Sequence, residues 1–197
     1  TGPALERLAR LALGACSLRE RLAPAVRDLA TRTGESAALF ARGPDDFTLV
    51  TKTEVEDSWH YMDEGKRSRR FTQNAFAQVC LADLPVHEQR RLCDRSDKPR
   101  ALTKRAFLRR LARIHADRFC VDPGTSRPGL MRFVAPVALG GADRPTGAMG
   151  ITLAPRDLSH EETERLAATV RQAAEDARTC LEAAGRASHA TAEEIDA

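Results

Sequence analysis

Arg127-Pro128-Gly129-Leu130-Met131-Arg132-Phe133-Val134-Ala135-Pro136-Val137 and, past the turn-forming residues Gly140-Gly141-Ala142-Asp143-Arg144-Pro145-Thr146, Gly147-Ala148-Met149-Gly150-Ile151-Thr152-Leu153 decide the fold. Two β-prone runs flank a segment with the composition of a hairpin connection. Behind them Ser159 and Glu162 form a capping box, and Leu166, Val170, Ala173, Ala174, Ala177 and Leu181 lie on one stripe of a long helix. A hairpin backed by such a helix closes a sheet that can hold a small molecule, and it suggests binding rather than catalysis.

Working outward, the segments towards the N-terminus repeat this alternation of strand and helix signals. Pro3 opens a helix with Leu5, Leu8, Ala12 and Ala15 on one stripe, which Gly14 is expected to end. Ser17 with Glu20 is a second capping box, predicted to start a separate helix carrying Leu22, Val26, Leu29 and Ala30. Ala37 to Ala41 and Phe47 to Lys52 alternate as strands around a hairpin loop at Arg42 to Asp46, and a further strand is expected at Ser58 to Asp63. Lys66, Arg67, Arg69 and Arg70 form a basic turn or strand edge. One helix is predicted from Phe71 to Ala82, a short one after Pro85, and one capped by Thr103. In that last helix Phe107, Leu111 and Ile114 share one face while Arg105, Arg109 and Arg113 share another. A short strand around Phe119 to Asp122 leads into the hairpin. Because hairpins outnumber crossovers, the fold class is α/β (α+β), a largely antiparallel sheet with helices packed on its faces.

Composition excludes several classes. With 42% hydrophobic and 30% charged residues in 197, the chain has enough apolar material for a core and enough charge for a water-facing surface. No apolar run approaches the roughly 18 residues that span a bilayer, and Glu6, Arg7 and Arg10 interrupt any secretory leader. The expectation is a cytoplasmic protein with no membrane association. Five widely spaced cysteines suit a reducing compartment better than a disulfide framework. Residues 90–113 carry ten Lys and Arg against two Asp, whereas 156–197 carry ten Asp and Glu against five Arg. The basic run lacks interleaved aromatic residues except Phe107, so it reads as the polar face of a helix rather than a nucleic-acid platform.

Enzymatic signatures are missing. The five histidines show no metal-ligand spacing, and there is neither a Gly-x-Ser-x-Gly elbow nor a phosphate-cradling Gly-Lys loop. No catalytic residue, metal or cofactor is expected.

From Leu5 to Ala184 the order of elements, with Leu29-Ala30, Thr33-Gly34-Glu35-Ser36, Leu81-Ala82-Asp83-Leu84-Pro85, Leu102-Thr103, Pro128-Gly129 and Val134-Ala135-Pro136-Val137, resembles the C-terminal effector-binding domain of IclR-type bacterial transcription regulators. The resemblance implies a GAF-like fold, a small-molecule effector, a homo-oligomer (dimer or tetramer), and DNA contact only through a winged helix-turn-helix that this chain does not contain. It divides the chain into a linker helix at 1–16, an effector-binding domain at 17–184, and a disordered tail at 185–197. A stand-alone GAF-like ligand-binding or catalytic domain unconnected with DNA is the alternative.

The family's pocket lies between the sheet and the helix after the third strand. Where members carry a His, a Thr and a Gly-Lys pair, this chain has Thr72, Asn74, Ala77 and Gln78. Two acidic positions before the Pro-Gly turn are Gly124 and Thr125, a small or Cys position is Arg132, and two strand serines are Gly150 and Thr152. The candidate ligand-binding set is therefore Thr72, Asn74, Ala77, Gln78, Asp122, Leu130, Arg132, Gly150 and Thr152, with Trp59 and Tyr61 as aromatic walls. Strand alternation puts Leu130, Arg132 and Val134 on one face. A guanidinium there either meets an anionic ligand, favouring a small organic acid, aromatic acids included, or reaches solvent or pairs with Asp122 or another acid.

Overall fold

A computed structural model describes residues 3–56, 62–97, 102–139 and 146–195, with side chains for those of them within 18–183. Its six strands form one sheet in the order β3-β2-β1-β6-β5-β4, with every pairing antiparallel. In chain order these are β1 (Ser36–Arg42), β2 (Phe47–Thr53), β3 (Arg67–Ser68), β4 (Cys120–Asp122), β5 (Met131–Val137) and β6 (Gly147–Leu153). The helices are α1 (Pro3–Thr33), α2 (Ala75–Ala82), α3 (Val86–Asp94), α4 (Lys104–Asp117) and α5 (His160–Ile195).

The period of two along the strands sorts the apolar side chains onto both faces of the sheet. Ala37, Leu39, Phe133, Ala135, Met149 and Ile151 meet Leu22, Val26 and Leu29 of α1 and Leu166, Val170 and Ala177 of α5. Ala38, Phe40, Phe47, Leu49, Val134 and Ala148 meet α2, α3 and α4, with Phe40 and Phe76 ring centroids 4.8 Å apart. The sheet is therefore the middle of three layers, which explains why α2 is buried all round.

The hairpin of the opening stretch pairs Met131 with Leu153 and Val137 with Gly147, and the expected caps at Thr103 and Ser159 form. The turn at 140–145 and the expected strand at 58–61 lie outside the described residues, and Met62 and Asp63 are not strand.

Three local expectations differ from the structure. α1 is unbroken through Gly14 and Ser17: one helical glycine costs only about 1 kcal/mol, less than the packing of Leu22, Val26 and Leu29 recovers. The helix stops at Gly34, whose φ of 71° suits a residue without Cβ and whose N–H donates to the Ala30 carbonyl. The single helix expected from Phe71 is split: Phe71–Gln73 is one 3-10 turn, and Asn74 sits extended and caps α2. Its Oδ1 accepts from the Phe76 and Ala77 amides at 2.9 and 3.4 Å, which is the competition with helical backbone that asparagine brings. Finally, α5 runs on to Ile195 rather than fraying from Gly185, since the segment is rich in alanine and contains no proline.

Gly150 is positioned between β1 and β5, opposite Ala38 and Val134. A Cβ there would fall inside the van der Waals envelope of the Phe133 carbonyl, which is backbone and cannot yield. Gly150→Ala should lower stability by about 1–3 kcal/mol. Urea unfolding checks this, and an unchanged midpoint would contradict the tight fit.

Candidate functional site

One row of cross-strand partners runs across four strands: Ser36 on β1, Thr152 on β6, Arg132 on β5 and Asp122 on β4. All four are buried although none is apolar. They share a face with Val134 and Ala148, so the row faces α2 and α4. Polar groups in such a place must satisfy one another or a ligand.

Asp122 is the centre of that pairing. Its Oδ1 accepts from the Ser126 amide at 3.2 Å and lies 3.1 Å from Nη2 of Arg110, while its Oδ2 is 3.5 Å from Nη1 of Arg132. Gln78, wholly buried on α2, extends the network. Its Nε2 donates to the Thr72 carbonyl at 3.2 Å and to Ser126 Oγ at 2.9 Å, and its Oε1 accepts from Arg110 Nε at 2.6 Å. Two guanidiniums thus address one carboxylate. Cys120, next to Arg110 Nη2 at 3.4 Å, is pushed up to about 11 by burial, so the thiol stays protonated and takes no part in charge balance.

The row opens at Arg132 into a cavity of about 350 Å³. Its walls are Met62, Lys66, Arg67, Ser68 and Arg70 from the β3 region, Gln73 and Asn74 before α2, Asp97 after α3, and Arg127 from the Pro-Gly loop. Among the described residues that line it, five side chains are cationic and one, Asp97, is a carboxylate, while Arg67 also reaches Asp46 at 3.4 Å.

The predicted residues fall into three groups. Asn74 and Arg132 line the cavity. Thr72, Gln78, Asp122 and Thr152 are buried behind it as the supporting network, and among the described residues Thr72 Oγ1 has no hydrogen-bond partner. Ala77 and Leu130 are buried apolar side chains and Gly150 is fixed by strand contact, none of them lining the cavity. Trp59 and Tyr61 lie outside the described residues. Arg110, Ser126 and Ser36 were not singled out in the sequence. Arg110 is spaced like its apolar neighbours Phe107, Leu111 and Ile114, and that spacing was the available signal.

The model of the bacterial transcriptional regulator IclR C-terminal domain matches residues 10–179. Among solved structures, a protein of Rhodococcus sp. RHA1 described as a transcriptional regulator superposes with TM-score 0.76 at 22% identity, covering 93% of this chain and 77% of that one. The IclR of Thermotoga maritima gives 0.74 at 20% identity, covering 91% and 74%. An IclR homolog of Microbacterium hydrocarbonoxydans complexed with 4-hydroxybenzoate gives 0.73 at 18% identity, covering 90% and 74%. No curated protein matches. At these identities the superpositions establish the fold, and the match over 170 residues establishes the kinship.

Asp122→Ala should remove the carboxylate that Arg110 and Arg132 share and cost about 3–5 kcal/mol. Asp122→Asn, which keeps the acceptor for the Ser126 amide, should cost less. Equal and small losses for both in denaturant unfolding would show that the two arginines are satisfied elsewhere.

Proposed function

This chain belongs to the IclR family of bacterial transcription regulators, as its C-terminal effector-sensing domain, and from that premise we propose that its effector is a small organic acid held at Arg132. The observation that carries this reading is the cavity with Arg132 as its buried end and Lys66, Arg67, Arg70 and Arg127 on its walls. A carboxylate entering there meets exposed cations at the mouth and, at the buried end, the planar guanidinium of Arg132, where a charge-assisted hydrogen bond is strongest. The relative complexed with 4-hydroxybenzoate supports an aromatic acid as one member of the class.

Around that acid, Asp122 and Gln78 fix the arginines, Asn74 caps α2 at the cavity wall, and Thr72 and Thr152 supply hydroxyls next to the network. Family membership supports sensing over a stand-alone ligand-binding or catalytic domain, since the family consists of transcription regulators. Residues 1–16 then act as the linking helix to a DNA-reading winged-helix module, and residues 17–184 as the sensing core. Among the described residues no helix is long and apolar enough to cross a membrane. The effector works by differential affinity for two arrangements of a homo-oligomer, dimer or tetramer, biasing whichever it binds better.

A panel of carboxylic acids, benzoate and 4-hydroxybenzoate included, screened by thermal shift should raise the melting temperature of the wild type. Arg132→Ala should weaken the best binder about ten- to a hundredfold, the equivalent of one charge-assisted bond. If the variant is less stable but keeps the same ligand shifts, Arg132 is only Asp122's partner and the acid site is elsewhere. Light scattering at concentrations on the order of tens of micromolar should give a closed oligomer, as interfaces of standard size produce. A monomeric mass there would remove the basis for signalling by rearranged subunits.

A further inference from the structure

Asp122 is shared between two cavities. Arg132 reaches it from the cleft, and Arg110 reaches it from a second cavity of about 460 Å³ at the β4 edge of the sheet. β4 is the outermost strand, so α4 on one face and α5 on the other approach each other around it. Arg110, Arg113 and Asp117 come from α4, Phe119 and Val121 from the edge strand and the residue before it, and Arg171 from α5. Val121 is one of two large apolar side chains, among the described residues, that are exposed.

Several arginines elsewhere on the surface are held by carboxylates. Arg91 and Arg95 share Asp45, Arg118 holds Asp83, Arg156 joins Glu35 to Glu162, and Arg178 lies between Glu175 and Glu182. Among the described residues Arg113 and Arg171 have no carboxylate partner, although Asp117 lies on the wall beside them. Arg171 stacks over the Phe119 ring with its guanidinium carbon 4.2 Å from the centroid. A guanidinium held by its face keeps its in-plane N–H donors turned outward. Phe119 is thereby occupied, so the groove has no aromatic face to stack a nucleobase.

We propose that this groove is a second anion-binding site, for a compact phosphate-type or dicarboxylate dianion bridging Arg113 and Arg171, with Arg110 behind them. A small dianion brings two charges and several acceptor oxygens to two guanidiniums, where a monocarboxylate brings one charge against two. The cavity volume is that of a small-molecule site rather than a macromolecular footprint. The assignment uses Arg113 and Arg171 and does not depend on an acid in the cleft.

Calorimetric titration of inorganic phosphate into the whole chain, at low chloride, tests it. The wild type should bind saturably at one site, and Arg113→Ala/Arg171→Ala should weaken binding about tenfold or more by removing both charge-assisted contacts. Arg113→Ala alone, exposed and free of packing contacts that hold the core, must weaken it too if the double variant melts. Arg90→Ala/Lys104→Ala, in the basic groove between α3 and α4, should leave it within about twofold, as surface charge at a distance does. No saturable binding, equal loss in the Arg90/Lys104 control, or binding that survives without Arg113 and Arg171 but vanishes in Arg132→Ala would each overturn the proposal.

Discussion

Asp122 carries a charge that no water reaches, and the arrangement of the sheet's polar face follows from having to match it. Arg132 lies directly across the β4–β5 pairing and Arg110 comes down from α4, so two separate elements are tied to one carboxylate. A buried ion pair of this kind contributes little net stability against an apolar substitute, because desolvation consumes most of the attraction. What it provides is a fixed location for guanidiniums that would otherwise stay in solvent. Gln78 completes the fixation by occupying Arg110 Nε from the helix that roofs the site.

The three-layer build makes this possible. With α1 and α5 covering one face of the sheet, the other face can give up part of its apolar surface to a polar row without exposing the core. The aromatic cluster of Phe40, Phe47, Phe71 and Phe76 holds the adjoining part of that face. The 3-10 turn at Phe71–Gln73 lies between the two regions. Phe71 is anchored in the cluster, and the next residues turn to the cavity, where Asn74 both starts α2 and lines the wall.

Much of this was legible in the sequence because it depends on short-range periodicity. The hairpin, the faces of α4 and α5, and the caps at Thr103 and Ser159 all follow from spacing of a few residues. Alternation along a strand made Arg132 a candidate and Asp122 its possible partner, but not its burial, since an arginine at that position could equally reach solvent. What escaped depends on chain segments far apart in sequence. The basic turn at Lys66 to Arg70 and the loop holding Arg127 are unremarkable separately, and only the fold sets them around one cavity. Arg110 escaped although its spacing from Phe107, Leu111 and Ile114 sets it at the border of the apolar face, because an arginine at such a border is taken as water-facing until a buried carboxylate is known to lie beneath it. The continuity of α1 was missed for the opposite reason: Gly14 and the Ser17 box are genuine local stop and start signals, outweighed by packing further along.

That continuity has a mechanical side. Thirty-one helical residues at 1.5 Å each make a rod of about 46 Å, held against the sheet through Leu22, Val26 and Leu29 in its second half. In a continuous helix a tilt of about 5° at Leu22 displaces Pro3, about 28 Å away along the axis, by about 2.5 Å, a movement that a hinge at Gly14 would absorb instead.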